Sequence, residues 1–359
     1  MVGCSESETA SGSAPQPSLL LDRAQTMTTM RWLEIRRGAQ RSVVGLKLEL
    51  ENPTGSVKYR TALSLLGELD QRRHLEPGTT VVESTSGNLG IALAGLTAEI
   101  GCRFVAVVDP KLPSGAREAM ASAGAELVTV QERDRHGGYL LTRLQRVAEL
   151  CAGDSSMVWA NQYGSSANPA VHQAVTGPEI SLQTEGRLGL VAVPVSTGGT
   201  LAGLSAFLRR SFPRVRILAV DVVGSIALSG VGRPHLLNGI GSTRKSSFLN
   251  RADYDRQLRV RDIEALAMCR LLAAETGLVL GGSSGAVVAA YVQEPWQHGG
   301  DRGIPVLFCP DGGERYEDTV YNDDWLGHKL VRADVEDVML RAHRDGLRFS
   351  LIEDVMRRD

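Results

Sequence analysis

The sequence predicts an α/β protein of two lobes, each a mostly parallel sheet flanked by helices. Short, continuously apolar, β-branched runs alternate with amphipathic helical stretches, the pattern of parallel strands covered on both faces. The alternation comes in two series, one from about residue 44 and one from about residue 170. A chain of 359 residues, 43% of them hydrophobic, can fill two such cores.

In the first series, TVVES at 80–84 reads as a strand and 89–100 as a helix. RFVAVVD at 103–109 and a helix over 113–123 follow, then a strand over 126–130 and a helix over 137–151. In the second series, LGLVAVPV at 188–195 is a strand, 201–211 a helix and VRILAVDV at 215–222 a strand. Residues 262–276 and 285–293 read as helices, and PVLFCP at 305–310 closes the pattern. The smaller lobe is assigned to 46–168, and the larger to 26–45 plus 169–330. Residues 1–25, rich in Ser, Ala, Thr, Pro and Gln, read as a disordered tail. Residues 331–359 read as a charged C-terminal tail, helical or partly disordered.

The chain carries 39 basic and 41 acidic residues, net −2, without a long run of either sign. This balance argues against nucleic acid or an anionic membrane as partner. There is no signal-peptide pattern and no apolar run near the ~20 residues of a membrane span, so a cytoplasmic location is expected. Cys4, Cys102, Cys151, Cys269 and Cys309 lie far apart and form no CxxC pair. That predicts neither a metal site nor a disulfide framework, and the last four read as small core residues.

Ligands in such folds sit at the carboxyl ends of strands, so the loops there carry function. ENPTGSVK at 51–58 forces a turn at Pro53 and Gly55, with Ser56 able to cap a helix from Val57. Lys58 then sits in the first helical turn, where the dipole disfavours its ammonium form. That suits an imine-forming lysine, although a solvated lysine in a capped turn has the same sequence. STSGNLG at 84–90 offers the hydroxyls of Ser84, Thr85 and Ser86, the Asn88 amide and backbone N–H groups around Gly87. It is either an anion cradle or a well-capped loop. In VSTGGT at 195–200, Gly198 and Gly199 admit close backbone approach, and Ser196, Thr197 and Thr200 add hydroxyls. It matches neither GxxxxGK[ST] nor GxGxxG and suits a single phosphate. GGSSG at 281–285 opens a helix with neutral Ser283 and Ser284 and no carboxylate near in sequence. On the 137–151 helix, Leu140, Leu144, Val147 and Cys151 form an apolar stripe that Arg143 borders. The arginine can therefore reach a cleft, although an arginine that snorkels to solvent fits the same position.

Taken in order, these four loops resemble those of fold type II pyridoxal-phosphate enzymes of the cysteine synthase and cystathionine β-synthase family, with the tryptophan synthase β-like architecture. The likeness runs over about residues 45–328. Finer features look like the N-(2-amino-2-carboxyethyl)-L-glutamate synthases: ESTSGNLGIALA (83–94), VVDPK (107–111), HGGYLLTR (136–143), NQY (161–163), NGIGSTR (238–244) and PDGGERYEDTVYNDDWL (310–326). Those enzymes join O-phospho-L-serine to L-glutamate on the way to 2,3-diaminopropionate, a building block of siderophores and peptide antibiotics.

The resemblance implies pyridoxal 5′-phosphate as cofactor, small amino-acid substrates, no metal and a homodimer. It implies that Lys58 carries the cofactor and moves the substrate's α-proton. Asn88 would bond the cofactor's ring hydroxyl, Ser196–Thr200 its phosphate, and Ser283 would face the ring nitrogen. Ser84, Thr85, Ser86, Gly87, Asn88 and Gln162 would hold the substrate carboxylate. Arg143 would stabilise a departing phosphate. Tyr163 and Ser196 would help position phosphate or glutamate, while His136 and His172 are read as structural. The alternative is an O-acetylserine sulfhydrylase of cysteine synthase type, or another β-substituted alanine synthase. Two features depart from the family pattern. Tyr59 follows Lys58, which would alter substrate access, and MTTMRWLEI stands where TPxVxL is usual.

Overall fold

The computed structural model describes residues 23–73, 75–293 and 303–353. An antiparallel pair, β1 (Met30–Arg37) and β2 (Gln40–Leu48), comes first, and a 3-10 turn at Glu49–Glu51 leads towards α1 (Lys58–Arg73). One βα series follows: β3 (Thr80–Ser84), α2 (Asn88–Glu99), β4 (Arg103–Val108), α3 (Ser114–Ser122), β5 (Glu126–Thr129), α4 (Leu140–Gly153) and β6 (Met157–Trp159). Next, α5 (Ala167–Val171), a π-helical turn (His172–Thr176) and α6 (Gly177–Gln183) run on without a break. The second series is β7 (Leu188–Pro194), α7 (Gly199–Ser211), β8 (Arg216–Val222), β9 (Arg256–Val260), α8 (Asp262–Thr276), α9 (Gly282–Gln293) and β10 (Ile304–Cys309). The chain ends on α10 (Asp323–His328), α11 (Arg332–Arg344) and β11 (Leu347–Ile352).

The smaller sheet has the order β5-β4-β3-β6 and is parallel throughout. The larger sheet has the order β11-β1-β2-β10-β7-β8-β9, parallel from β2 to β9. Its central strands β7 (LGLVAVP) and β10 (IPVLFC) carry no charged residue because both faces are covered. Ala192, Leu218 and Val220 pack with Ala286 and Leu271, whereas Val191, Val193 and Ile217 pack with Leu204 and Leu208 of α7. Successive strand residues feed opposite cores, so no polar alternation is left to read.

Several expectations need correction. Met30–Arg37 forms a full strand despite its unusual sequence. Residues 23–25 are ordered into the protein: Arg23 pairs with Glu99, and Ala24 is buried in the same cluster as Tyr59. Residues 1–22 of the expected tail, with Cys4, lie outside the described residues. The larger sheet takes all of β2 to Leu48, three residues past the assigned boundary at 45. The 331–352 segment is not a tail. Its strand β11 pairs antiparallel with β1, and Leu347 and Phe349 enter the larger core. Helix α11 concealed this, because Val335 is its buried residue and the rest reads as solvated charge. Cys102, Cys269 and Cys309 are buried and Cys151 is half-buried. Among the described residues, no helix is long and apolar enough to cross a membrane.

The turn that carries Lys58 is anchored from below by four buried charges. Lys47 on β2 lies 2.7 Å from Glu179 and 3.5 Å from Glu49. Arg60, two residues after Lys58, lies 2.9 Å from Glu49 and 2.6 Å from Glu179. Lys47, Glu49 and Arg60 are wholly inaccessible to solvent. Such a set is balanced only as a whole, since removing one member strands a buried charge. Glu49→Gln should therefore lower unfolding free energy by roughly 3–5 kcal/mol, read from the shift of the urea midpoint. A loss under about 1 kcal/mol, the range of an exposed pair, would mean that water reaches the network.

Candidate active site

The carboxyl ends of β3, β7 and β10 meet over a cavity of about 990 Å³ between the two sheets. All of the sequence-predicted site residues except Ser84 and Gly199 line it.

Lys58 is the first residue of α1, half-buried at the cavity wall. Its loop is pinned to the end of β10, with the Val57 N–H donating to the Pro310 carbonyl at 2.8 Å. Burial pulls its amine down to about 8, against the raising influence of the Asp311 and Glu83 carboxylates. Tyr59 turns away from the cavity into the smaller lobe's core, with Leu63, Leu66 and Leu93. It therefore does not affect substrate access.

The loop after β3 is shaped by Thr85, whose Oγ1 accepts the N–H groups of Gly87 at 3.1 Å and Gly90 at 2.9 Å. Gly87 has φ +144°, a conformation that favours glycine, and it leads directly into α2. Ser86, Gly87 and Asn88 are thereby presented at a helix start facing the cavity. Ser84 is buried with its hydroxyl away from the cavity, and it contributes its carbonyl, which accepts the Gln162 side-chain N–H at 2.8 Å. Behind this loop lies Glu83, which the sequence analysis missed. It accepts backbone N–H groups of Ser84 at 2.7 Å and Gln162 at 2.9 Å. Burial pushes its carboxyl up to about 7 in spite of these bonds.

The loop after β7 is built for close approach. A Cβ on Gly198 (φ +91°) would lie 2.1 Å from Ser246 Oγ, and one on Gly199 2.1 Å from Asn168 Oδ1. Gly199 thus serves by admitting Asn168, which donates to the Gln162 carbonyl at 2.7 Å and to Thr197 Oγ1 at 3.3 Å. The Ser196 hydroxyl donates to the Gly241 carbonyl at 3.0 Å. His172 lies in the π-helical turn. Its ring lies 3.3 Å from Thr200 Oγ1 and 3.0 Å from Thr176 Oγ1. Burial, aided by Lys58 and Arg60, holds it well below the usual histidine range and so neutral.

Ser283 is not free of carboxylates. Asp311, from the turn after β10, is buried beside it, with Ser283 Oγ donating at 3.5 Å. The same carboxylate accepts from Tyr316 at 2.6 Å and from Asn88 Nδ2 at 2.7 Å. Arg315 completes the cluster by donating to Asn88 Oδ1 and the Thr54 carbonyl. A Cβ on Gly281 would lie 2.0 Å from Asp311 Oδ1, which accounts for the glycine there. Burial raises the Asp311 pKa, opposed by its hydrogen bonds.

Arg143, on α4, is buried on the opposite wall. Its Nε lies 3.3 Å from Asp109, and its Nη1 has no hydrogen-bond partner among the described residues. Tyr163 lines the same wall; burial pushes its phenol up, and Ser196 is its hydrogen-bonding neighbour. The residues present fit pyridoxal phosphate. They comprise a lysine of lowered pKa, a tight glycine cradle at a helix start for a phosphate, and polar groups around the space between.

The comparisons agree with this geometry. Residues 22–309 match the family model described as pyridoxal-phosphate dependent enzyme. The chain is 40% identical over 287 residues to the N-(2-amino-2-carboxyethyl)-L-glutamate synthase of Ralstonia nicotianae, covering 80% of this chain and 85% of that one. It is 39% identical over 306 residues to the protein of the same name in Cupriavidus metallidurans, covering 84% and 89%. The crystal structure of O-ureido-L-serine synthase superposes with TM-score 0.74 at 31% identity, covering 86% of this chain and 98% of that one. O-acetylserine-dependent cystathionine β-synthase from Helicobacter pylori gives 0.73 at 26%, covering 84% and 98%. Sheet order, glycine cradle and sequence kinship together place the chain in the pyridoxal-phosphate dependent enzyme family, as a fold type II enzyme acting on serine derivatives.

Proposed function

We propose that the enzyme replaces the phosphate of O-phospho-L-serine with the amine of L-glutamate, giving N-(2-amino-2-carboxyethyl)-L-glutamate for 2,3-diaminopropionate biosynthesis. The observation that carries this reading is Arg143, a buried guanidinium whose Nη1 reaches no partner at the cavity wall. A guanidinium paired on its Nε side with Asp109 but with its Nη1 donors unused suits a dianionic leaving group. The names of the two bacterial relatives support the same product.

When bound, the cofactor supplies the sink for the electron pair left at the substrate's α-carbon. Lys58 Nζ holds the cofactor and then takes up and returns the α-proton, a task suited to an amine lowered to about 8. Thr197, Gly198 and Thr200 hold the cofactor phosphate at the start of α7, with Gly199 giving the turn its room. Ser86, Gly87 and the N-terminus of α2 bind the substrate carboxylate, and Gln162 braces that loop through Ser84. Asn88 and Ser283 face the cofactor ring, both oriented by Asp311. Arg143 receives the phosphate as the bond from the β-carbon to oxygen breaks and its electron pair leaves on that oxygen. Glutamate's nitrogen then bonds the same carbon and loses one proton to solvent.

Incubating the loaded enzyme with phosphoserine and glutamate should release phosphate and the coupled amino acid in equal amounts, identified by mass spectrometry. O-acetylserine, lacking the dianion, should support at least ~10-fold lower kcat/KM, the low end for losing a hydrogen bond to a charged group. A preference for O-acetylserine would instead favour a sulfhydrylase-type or ureidoserine-type reaction.

A further inference from the structure

A second compartment of about 630 Å³ opens outward from the first and shares Arg143, Tyr163 and Ser196 with it. Loops from both lobes wall it and are tied together by Thr243 Oγ1, which donates to Asp134 Oδ2 at 3.0 Å, while Asp134 Oδ1 accepts the Gly138 N–H of its own loop at 3.1 Å. A Cβ on Gly138 would lie 2.6 Å from Thr243, so the walls meet closely.

One carboxylate organises the charges of this compartment. Asp109, at the end of β4, accepts the Lys111 backbone N–H on Oδ1 at 2.8 Å and pairs with Arg143 through Oδ2. Asp109 therefore fixes the Lys111 backbone beside the Arg143 guanidinium. Asp109 is committed to Arg143, whereas the Lys111 ammonium has no carboxylate within 4 Å among the described residues. His235, also on the wall, donates from Nδ1 to the Leu237 carbonyl at 3.0 Å, and burial lowers its pKa, which favours the neutral ring. With Arg143, Lys111 and Asp109 on the wall, the compartment has one net positive charge, at the rim away from Lys58.

We propose that this outer compartment binds the second substrate, an amino acid with a side-chain carboxylate, and that Lys111 reads that carboxylate. The inference rests on the reading of the reaction given above. Leaving group and incoming amine exchange at the same β-carbon, so the space on Arg143's side must serve both. An acceptor that presents its amine to that carbon has its far end outward, where Lys111 stands. Glutamate carries a carboxylate there and glutamine a neutral amide, so one uncommitted cation distinguishes them.

The test compares kcat/KM for glutamate and for glutamine, with phosphoserine as donor, in the loaded wild-type enzyme and in Lys111→Met and Lys111→Arg. The wild type should prefer glutamate. Lys111→Met should lower that preference at least ~10-fold, through KM for glutamate, and Lys111→Arg should keep most of it. A general structural loss would depress both acceptors alike and leave the ratio where it was. A preserved ratio in Lys111→Met overturns the assignment of Lys111 while leaving the proposed reaction intact. A wild-type enzyme that couples neither acceptor overturns both.

Discussion

Lys58→Ala should lose at least about 10⁴-fold in turnover of phosphoserine, the upper range for removing a positioned general acid–base, and should lose the covalent hold on the cofactor as well. At pH 8 about half of the Lys58 amines are neutral, against roughly one in three hundred for an ordinary lysine. That fraction comes from burial at the cavity wall, and among the described residues no other lysine lines the cavity. Lys58→Arg should fail as badly, because a guanidinium stays charged. Two readouts separate chemistry from misfolding. Borohydride treatment followed by peptide mass spectrometry should find the cofactor fixed to residue 58 in the wild type and to no residue in Lys58→Ala. The variant should still bind the cofactor reversibly through the α7 start, giving a dialysable yellow complex. Turnover within tenfold of wild type, or a cofactor adduct at another lysine, would remove Lys58 from its role.

What the sequence made legible follows from how local each feature is. The loops at 84–90 and 195–200 were readable because Gly, Ser and Thr act there on their own backbone, as Thr85 does on Gly87 and Gly90. The parallel strands were readable because both faces are buried. The antiparallel edge β11-β1-β2 was harder, since β11 declares itself only by a short alternation and pairs with a strand from the other end of the chain. Tyr59 was misjudged for a geometric reason. Adjacent helical residues point about 100° apart, so a neighbour of a cavity-facing Lys58 can lie wholly in the core. Ser84 was misjudged because the pleat sends alternate side chains to opposite faces, and a hydroxyl in sequence does not declare its side. Asp311 meets Asn88 across 223 residues of chain. Only topology brings them together, although Asp311 lies in the PDGGERYEDTVYNDDWL stretch that carries part of the family resemblance. Glu83 braces the Gln162 backbone and Asp109 the Arg143 guanidinium across the fold, and such support leaves no local pattern.

Arg143→Ala should lower kcat/KM for phosphoserine by about 10²–10³, the cost of removing one preorganised stabiliser of developing charge, with a much smaller effect on O-acetylserine. The difference between donors is the decisive quantity. Arg143 is buried and paired on one side only, so its Nη1 is held without a partner at a cost that a departing dianion would recover. Acetate leaves with a single, more diffuse charge and needs that cation less. Truncation also strands Asp109, and some general loss of stability will follow. A donor ratio cancels that loss, because both substrates meet the same folded fraction. Arg143→Lys keeps the charge but not the planar fork, and should recover only part of the ratio. Should both donors fall equally in Arg143→Ala, the arginine would be a wall support, and phosphate recognition would have to be sought among Ser196, Tyr163 and the α7 start.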